Sequence, residues 1–154
     1  MNPILQVFYS VISGLTLAMA LPNEWLYFGS PVIALFCLVP YYFAIRASKN
    51  YKFAFISGFI FTGTTHLASS FWLANFKDFA ALTLGASAVG TALIGGFMAI
   101  FTYLPFSSSK NKNPLNQFSL HQKITDTVSF RVVYFAALYT LYEWVKSCGF
   151  LGYP

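Results

Sequence analysis

Charged side chains are scarce in this sequence. Lysine, arginine, aspartate and glutamate together make up 8% of the 154 residues, whereas soluble domains contain about 25%. A soluble fold of this length could not cover its surface with so few charges, because much of its apolar surface would stay in water. The shortage excludes an ordinary soluble domain. Together with a hydrophobic fraction of 57%, it predicts an integral membrane protein.

Cysteine and histidine are rare as well, with two of each in the chain. Cys37 and Cys148 are far apart and form neither a CxxC pair nor a His/Cys cluster, which excludes a disulfide framework and offers no metal site. No Rossmann or phosphate-loop glycine pattern occurs either. We therefore predict no metal and no organic cofactor.

Seven of the nine lysine and arginine residues lie in two stretches of the chain. These are Arg46, Lys49 and Lys52, and then Lys110, Lys112, Lys123 and Arg131. Such clustering follows the positive-inside rule for cytoplasmic loops of membrane proteins. A nucleic-acid-binding protein would instead carry a basic stripe interleaved with exposed aromatic residues. We therefore expect no nucleic acid among the partners, despite the net charge of +5.

Long apolar runs separate these polar stretches. A helix needs about 20 apolar residues to cross the hydrocarbon core of a bilayer. The predicted spans are residues 3–21, 25–45, 53–73, 79–104 and 132–151, with cytoplasmic loops at 46–52 and 105–131. We therefore predict an all-α fold, a polytopic membrane bundle of about five transmembrane helices over residues 1–154, with its amino terminus in the cytoplasm.

The ends of these spans carry alternative signals. Ala18-Met19-Ala20 imitates a signal-peptide cleavage site. However, no lysine or arginine precedes the first run and its length is close to spanning, so we favour a retained span. Pro31 is expected to open or kink the second helix, and Pro105 to end the fourth.

Small residues recur at helical spacing on two of the predicted spans, and this indicates close helix–helix packing. The ladders are Ser10-Gly14-Ala18 in the first span, and Ser87-Thr91-Gly95-Ala99 and Ala88-Ala92-Gly96 in the fourth.

Glu143, Lys146 and Cys148 bring an acid, an amine and a thiol close together in the sequence. Such groups can form a nucleophilic triad. On a helix, however, Glu143 and Lys146 are three residues apart and can pair, whereas Cys148 points elsewhere. We therefore predict an ion pair that lowers the cost of placing both charges near lipid.

His66 is the other titratable group within a predicted span. A charged histidine is expensive there, so we predict a neutral side chain hydrogen-bonded to a neighbouring helix. A functional contact with a proton or a lipid headgroup is the alternative. Trp72 and Trp144 are expected to anchor the helices at the membrane interface. Structural or lipid-facing roles are thus predicted for His66, Trp72, Glu143, Trp144 and Lys146, and a catalytic role for none.

Three separated stretches resemble bacterial apolipoprotein N-acyltransferases. The first is Leu17-Ala18-Met19-Ala20-Leu21-Pro22 through Trp25, followed by Ala34-Leu35-Phe36-Cys37-Leu38-Val39-Pro40-Tyr41. The second is Gly58-Phe59-Ile60-Phe61-Thr62-Gly63 with Trp72-Leu73. The third is Glu143-Trp144-Val145-Lys146 with Gly152-Tyr153-Pro154. Their order and spacing make the similarity specific, although Asn23 stands where the family often has a second proline.

The resemblance implies an enzyme of the bacterial inner membrane. Such an enzyme moves an acyl chain from a phospholipid to the amino group of a lipoprotein's lipidated cysteine, without a metal or nucleotide. The family's Glu-Lys-Cys triad belongs to a periplasmic nitrilase-like domain. No residue of this chain matches a triad position, and Cys148 is not the family nucleophile.

We therefore expect the membrane part of such an enzyme, from a truncated, split or degenerate gene. The expected partners are phospholipid, a lipoprotein substrate and a separately encoded remainder of the enzyme, and the chain is expected to be inactive alone. The alternative is a non-enzymatic membrane scaffold or small helical membrane subunit.

Overall fold

All regular elements in the described part of the chain are helical. The computed structural model describes residues 2–22, 26–75, 80–110, 124 and 127–148. The helices are α1 (Pro3–Ala20), α2 (Pro31–Phe36), α3 (Val39–Ala47), α4 (Tyr51–Ser69), a short 3-10 helix (Phe71–Asn75), α5 (Ala80–Lys110) and α6 (Val128–Cys148). The all-α prediction is confirmed. Trp25, most of the 105–131 loop and Gly152-Tyr153-Pro154 lie outside the described residues.

Two of the described helices are long and apolar enough to cross a membrane. They are α1 and the Leu82–Ser107 part of α5. Within α1, 33% of the residues are buried by the rest of the protein, and within an apolar 18-residue stretch of the α5 segment 28% are buried. Residues Pro31–Ala47 form a shorter apolar helical stretch.

Helices α4 and α5 pack so closely that their contact excludes side chains. A Cβ atom added at Gly58 would lie 2.5 Å from the Gly95 carbonyl oxygen, and one added at Gly95 would overlap the Thr62 side chain. Ala99 is fully buried in the same contact. The prediction that the small-residue ladder of the fourth span packs against a neighbour is confirmed.

The ladder of the first span also faces a neighbouring helix. Ser10 and Ala18 are buried, and a Cβ atom at Gly14 would lie 2.7 Å from the Phe61 carbonyl oxygen of α4. Helix α1 is therefore an integral part of the packed helices.

Gln6 anchors the other end of α1 to two further segments. Its buried side-chain nitrogen lies 2.6 Å from Ser48 Oγ and 2.7 Å from Ser57 Oγ. Ser48 Oγ in turn donates to the Ala44 carbonyl, so it can accept the Gln6 proton. The contact joins α1, the end of α3 and α4 through one amide.

The predicted second span contains two helices rather than one. Ser30 caps α2, and Pro31 occupies its first turn, where no N–H is needed. Pro40 has no N–H to donate to the Phe36 carbonyl four residues earlier, and α2 ends at Phe36, although the Cys37 N–H still donates to the Ile33 carbonyl at 2.9 Å. The Cys37 carbonyl accepts a hydrogen bond from Ser13 Oγ of α1. The neighbouring helix α1 thus supplies a hydrogen-bond donor at the break between α2 and α3.

The prediction that Pro105 ends the fourth helix is wrong, because α5 continues through it to Lys110. Proline at this position leaves the Phe101 carbonyl without its usual helical donor. The Tyr134 hydroxyl of α6 donates to that carbonyl at 3.2 Å. A donor from another helix therefore compensates for the missing N–H.

Aromatic side chains fill the space between α3, α4 and α6. Tyr41 stacks on Phe61 with ring centroids 4.1 Å apart, and the edge of Tyr42 meets Phe135 at 5.3 Å. Tyr41, Phe61 and Phe135 are all buried. Offset and edge-to-face pairs of this kind add to the free energy gained by burial. These ring contacts pack α6 against α3 and α4, next to the predicted site residues.

Candidate functional site

The ion pair predicted on α6 is present. Lys146 Nζ lies 2.6 Å from Glu143 Oε2, with both side chains about one-third exposed. The Tyr139 hydroxyl donates to Glu143 Oε1 at 3.0 Å, and Lys146 Nζ lies 5.5 Å from the centre of the Tyr142 ring. Helical spacing of three and four residues brings these groups onto one face. The carboxylate therefore has a partner on each oxygen.

His66 meets a neighbouring helix, as the sequence predicts. Its Nε2 atom lies 2.9 Å from Ser87 Oγ near the start of α5. The Phe61 ring of α4 lies 6.4 Å from the Tyr139 ring of α6, so the α6 ion pair and the α4–α5 hydrogen bond lie toward the same end of the helices. The three helices together form a polar cluster, consisting of His66, Ser87, Tyr139, Glu143 and Lys146.

The two tryptophans lie beside this polar cluster in sequence and differ in exposure. Trp72 is half-buried in the short 3-10 helix that follows α4. Trp144 is 60% exposed on α6, one residue after Glu143. Their predicted role as interface anchors stays a prediction, since it depends on the position of the bilayer.

A small, partly open space lies among the aromatic side chains next to the polar cluster. Its volume is about 20 Å³, and its lining includes Tyr41, Phe61, Thr62, Tyr139 and Tyr142. A space of this size accommodates about one water molecule, whereas drug-sized ligands occupy about 300–1,000 Å³. It therefore serves packing or a single water rather than an organic ligand.

No candidate metal centre is present among the described residues. None of their His, Cys, Asp and Glu side chains form a group of three that could hold a metal ion. Cys37 is buried, and its thiol donates to the Ala34 carbonyl at 3.3 Å. The side chain of Cys148 lies outside the described part of the chain. The side chains of the polar cluster can form an ion pair and can hydrogen-bond a polar group.

Sequence reasoning missed three of the residues in or beside this polar cluster. Tyr139 lies four residues before Glu143, and that spacing alone would have indicated contact on a helix. Tyr142 lies four residues before Lys146, so the same spacing would have indicated that contact as well. Ser87 was interpreted only as a small packing residue, since its contact with His66 depends on how α4 and α5 pair.

Comparison with known proteins identifies relatives along nearly the whole chain. Residues 13–154 match the family described as Apolipoprotein N-acyltransferase N-terminal domain. The chain is 37% identical over 151 residues to Apolipoprotein N-acyltransferase 2 of Treponema denticola, covering 97% of this chain and 25% of the relative. It is 38% identical over 145 residues to the protein of that name from Treponema pallidum, covering 94% and 23%.

A more distant relative is Apolipoprotein N-acyltransferase of Thermotoga maritima, 28% identical over 153 residues, covering 97% of this chain and 28% of that protein. The chain thus spans about a quarter of the length of these relatives. No solved structure matches it. Since the family match covers residues 13–154, this chain belongs to the apolipoprotein N-acyltransferase N-terminal domain family.

Proposed function

We propose that this chain is the membrane portion of an apolipoprotein N-acyltransferase, embedded in the bacterial inner membrane by about five helices. The observation that carries the proposal is the family match over residues 13–154. The low burial of α1 and of the Leu82–Ser107 segment adds support, since a soluble protein would bury such apolar helices in its core. Lipid would cover the exposed apolar faces of these two helices.

The reaction served is the transfer of an acyl chain from a phospholipid to the amino group of a lipoprotein's lipidated cysteine. This chain contributes the helices that hold the enzyme in the bilayer and admit lipid to its outer surface. The polar cluster supports that role, because the predicted topology puts the carboxyl end of α4 and of α6 on the periplasmic side. There, Lys146, Glu143 and His66 would meet headgroups, and Trp72 and Trp144 would lie at the interface.

The 154 residues alone are expected to be inactive. The family's Glu-Lys-Cys triad belongs to a nitrilase-like domain, and no residue of this chain matches it. Transfer therefore requires the part of the enzyme that carries the triad. Labelled phospholipid and an acceptor lipopeptide, incubated with the purified chain, should yield no acylated peptide. Transfer by the chain alone would contradict this part of the proposal.

A chimera tests the membrane role directly. The aligned quarter of the Treponema denticola relative is replaced with this chain, and acyl transfer to the lipopeptide is measured in membranes. We expect transfer above that of the same relative with the quarter deleted, because the substituted helices restore the bilayer anchor and lipid access. A chimera that inserts into membranes but transfers no more than the deletion variant would overturn the proposal.

A further inference from the structure

An apolar groove lies on the outer surface of α4 and α5, away from the polar cluster. Its volume is about 370 Å³, and it is lined by Tyr51, Lys52, Phe55, Ile56 and Ile100. Lys52, Phe55 and Ile56 share one helical face, because they are three and four residues apart. The groove thus begins at a cation and continues as an apolar surface.

Close packing fixes the floor of this groove. The Phe55 ring lies over Gly96, where an added Cβ atom would come within 2.7 Å of the ring. The edge of the Phe97 ring meets Phe55 with centroids 5.4 Å apart. Since the missing side chain at Gly96 determines where Phe55 rests, the groove is formed before any ligand enters.

Basic side chains lie at Lys52, in the lining of the groove, and close to it in the sequence. Arg46, Lys49 and Lys52 are all exposed, and residues 46–52 contain no acidic residue. Among the described residues the one carboxylate is Glu143, which is paired with Lys146 on α6.

The backbone that presents these cations is held in place. Buried Ser48 accepts from Gln6, and the Asn50 side chain caps α4 by accepting from the Phe53 N–H at 3.1 Å. Arg46 and Lys52 therefore project from the facing ends of α3 and α4, and Lys49 projects from the short turn that joins these helices.

We infer that this groove binds one anionic phospholipid. Lys52 and Lys49 contact its phosphate, and one acyl chain lies along Phe55, Ile56 and Ile100. Charge complementarity selects the anionic headgroup, since each basic side chain near a membrane surface attracts such lipids by about 1 kcal/mol. The inference rests on the proposed membrane embedding. It concerns a lipid other than the acyl donor, because Lys52 and His66 are fourteen residues apart on α4, about 21 Å along the helix.

Native mass spectrometry of the full chain in detergent micelles tests the site. The probes are phosphatidylglycerol and phosphatidylcholine with identical acyl chains, added in equal amounts. We expect one retained phosphatidylglycerol per chain and little phosphatidylcholine. Lys52→Gln should lower the phosphatidylglycerol preference about fivefold, and Ile56→Trp should reduce retention of both lipids by filling the groove.

Arg131→Gln is the matched control, since it removes one cation outside the groove and should leave the preference unchanged. Equal retention of both lipids by the unmodified chain, an unchanged preference in Lys52→Gln, or a second copy of the chain in place of lipid would overturn the inference. Alkaline carbonate extraction separates this outcome from failure of the proposed function. If the chain stays in the membrane but shows no lipid preference, only the inferred lipid site is overturned. If the chain is released from membranes, the proposed membrane embedding is contradicted.

Discussion

Gln6 is a polar side chain inside an apolar helix, and its amide joins three segments. Leucine fills a similar volume but donates no hydrogen bond, so Gln6→Leu would leave the Ser48 and Ser57 hydroxyls without their donor in a buried site. We expect Gln6→Leu to lower the free energy of unfolding by about 1–3 kcal/mol. The measurement is equilibrium unfolding in mixed micelles.

The control for this substitution is Thr140→Val. The Thr140 hydroxyl is exposed and donates only to the Ala136 carbonyl of its own helix. Its removal should change stability by a few tenths of a kcal/mol at most, since surface changes of this kind are usually small, within about 0.5 kcal/mol. If both variants unfolded together, the Gln6 contact would not be stabilising.

The charged and histidine side chains within the predicted spans stand out in the sequence, whereas their partners on other helices, and the uncharged Gln6, do not. His66, Glu143 and Lys146 stand out because charge is rare in apolar runs, and the pairing of Glu143 with Lys146 follows from helical spacing. Ser87 looks like any other small residue until α4 and α5 are brought together. A contact within one helix can be predicted from spacing, but a contact between helices requires their register.

Helices α4 and α5 make the closest contact of the described elements, and glycine makes it possible. Gly58→Ala places a methyl group against the Gly95 carbonyl, which cannot move without bending α5. We expect the variant to lose about 1–3 kcal/mol of stability, the usual cost of overpacking. Thermal unfolding in micelles measures the loss.

Gly90 provides the matched control on α5. An added Cβ atom there has no neighbour within 4 Å, so Gly90→Ala should be neutral or slightly stabilising through helix propensity. A Gly58→Ala protein as stable as Gly90→Ala would show that the two helices can separate at no cost.

Helix boundaries were less predictable than helix positions. The apolar runs indicated where helices occur, but Pro105 was expected to stop one of them. Proline ends a helix when the carbonyl four residues earlier finds no other donor. Here Tyr134 supplies that donor from α6, which lies far along the sequence. The outcome therefore depended on tertiary structure that residues near Pro105 do not encode.

The orientation of the whole chain can be measured at single positions. In a Cys37→Ala, Cys148→Ser background, Lys49→Cys introduces a thiol into the predicted cytoplasmic loop. We expect a membrane-impermeant maleimide to label it only after cells are permeabilised, because basic loops remain on the cytoplasmic side.

Ala74→Cys is the comparison for this experiment. Ala74 is exposed near the end of the short 3-10 helix, on the predicted outer side. It should react in intact cells. Labelling of Lys49→Cys, but not Ala74→Cys, in intact cells would invert the topology and move the polar cluster to the cytoplasm.

At the break between α2 and α3 and at Pro105, a hydroxyl group from a helix distant in sequence donates to a backbone carbonyl. Ser13 serves the Cys37 carbonyl, and Tyr134 serves the Phe101 carbonyl. An unpaired carbonyl in hydrocarbon costs several kcal/mol, so either carbonyl would destabilise the fold without its hydroxyl donor. The two cases differ in timing during synthesis. Ser13 is synthesised before Cys37, so the donor is already present when the acceptor carbonyl is made. Tyr134 is synthesised after Phe101, so we expect the carboxyl end of α5 to gain this hydrogen bond only after α6 has been made.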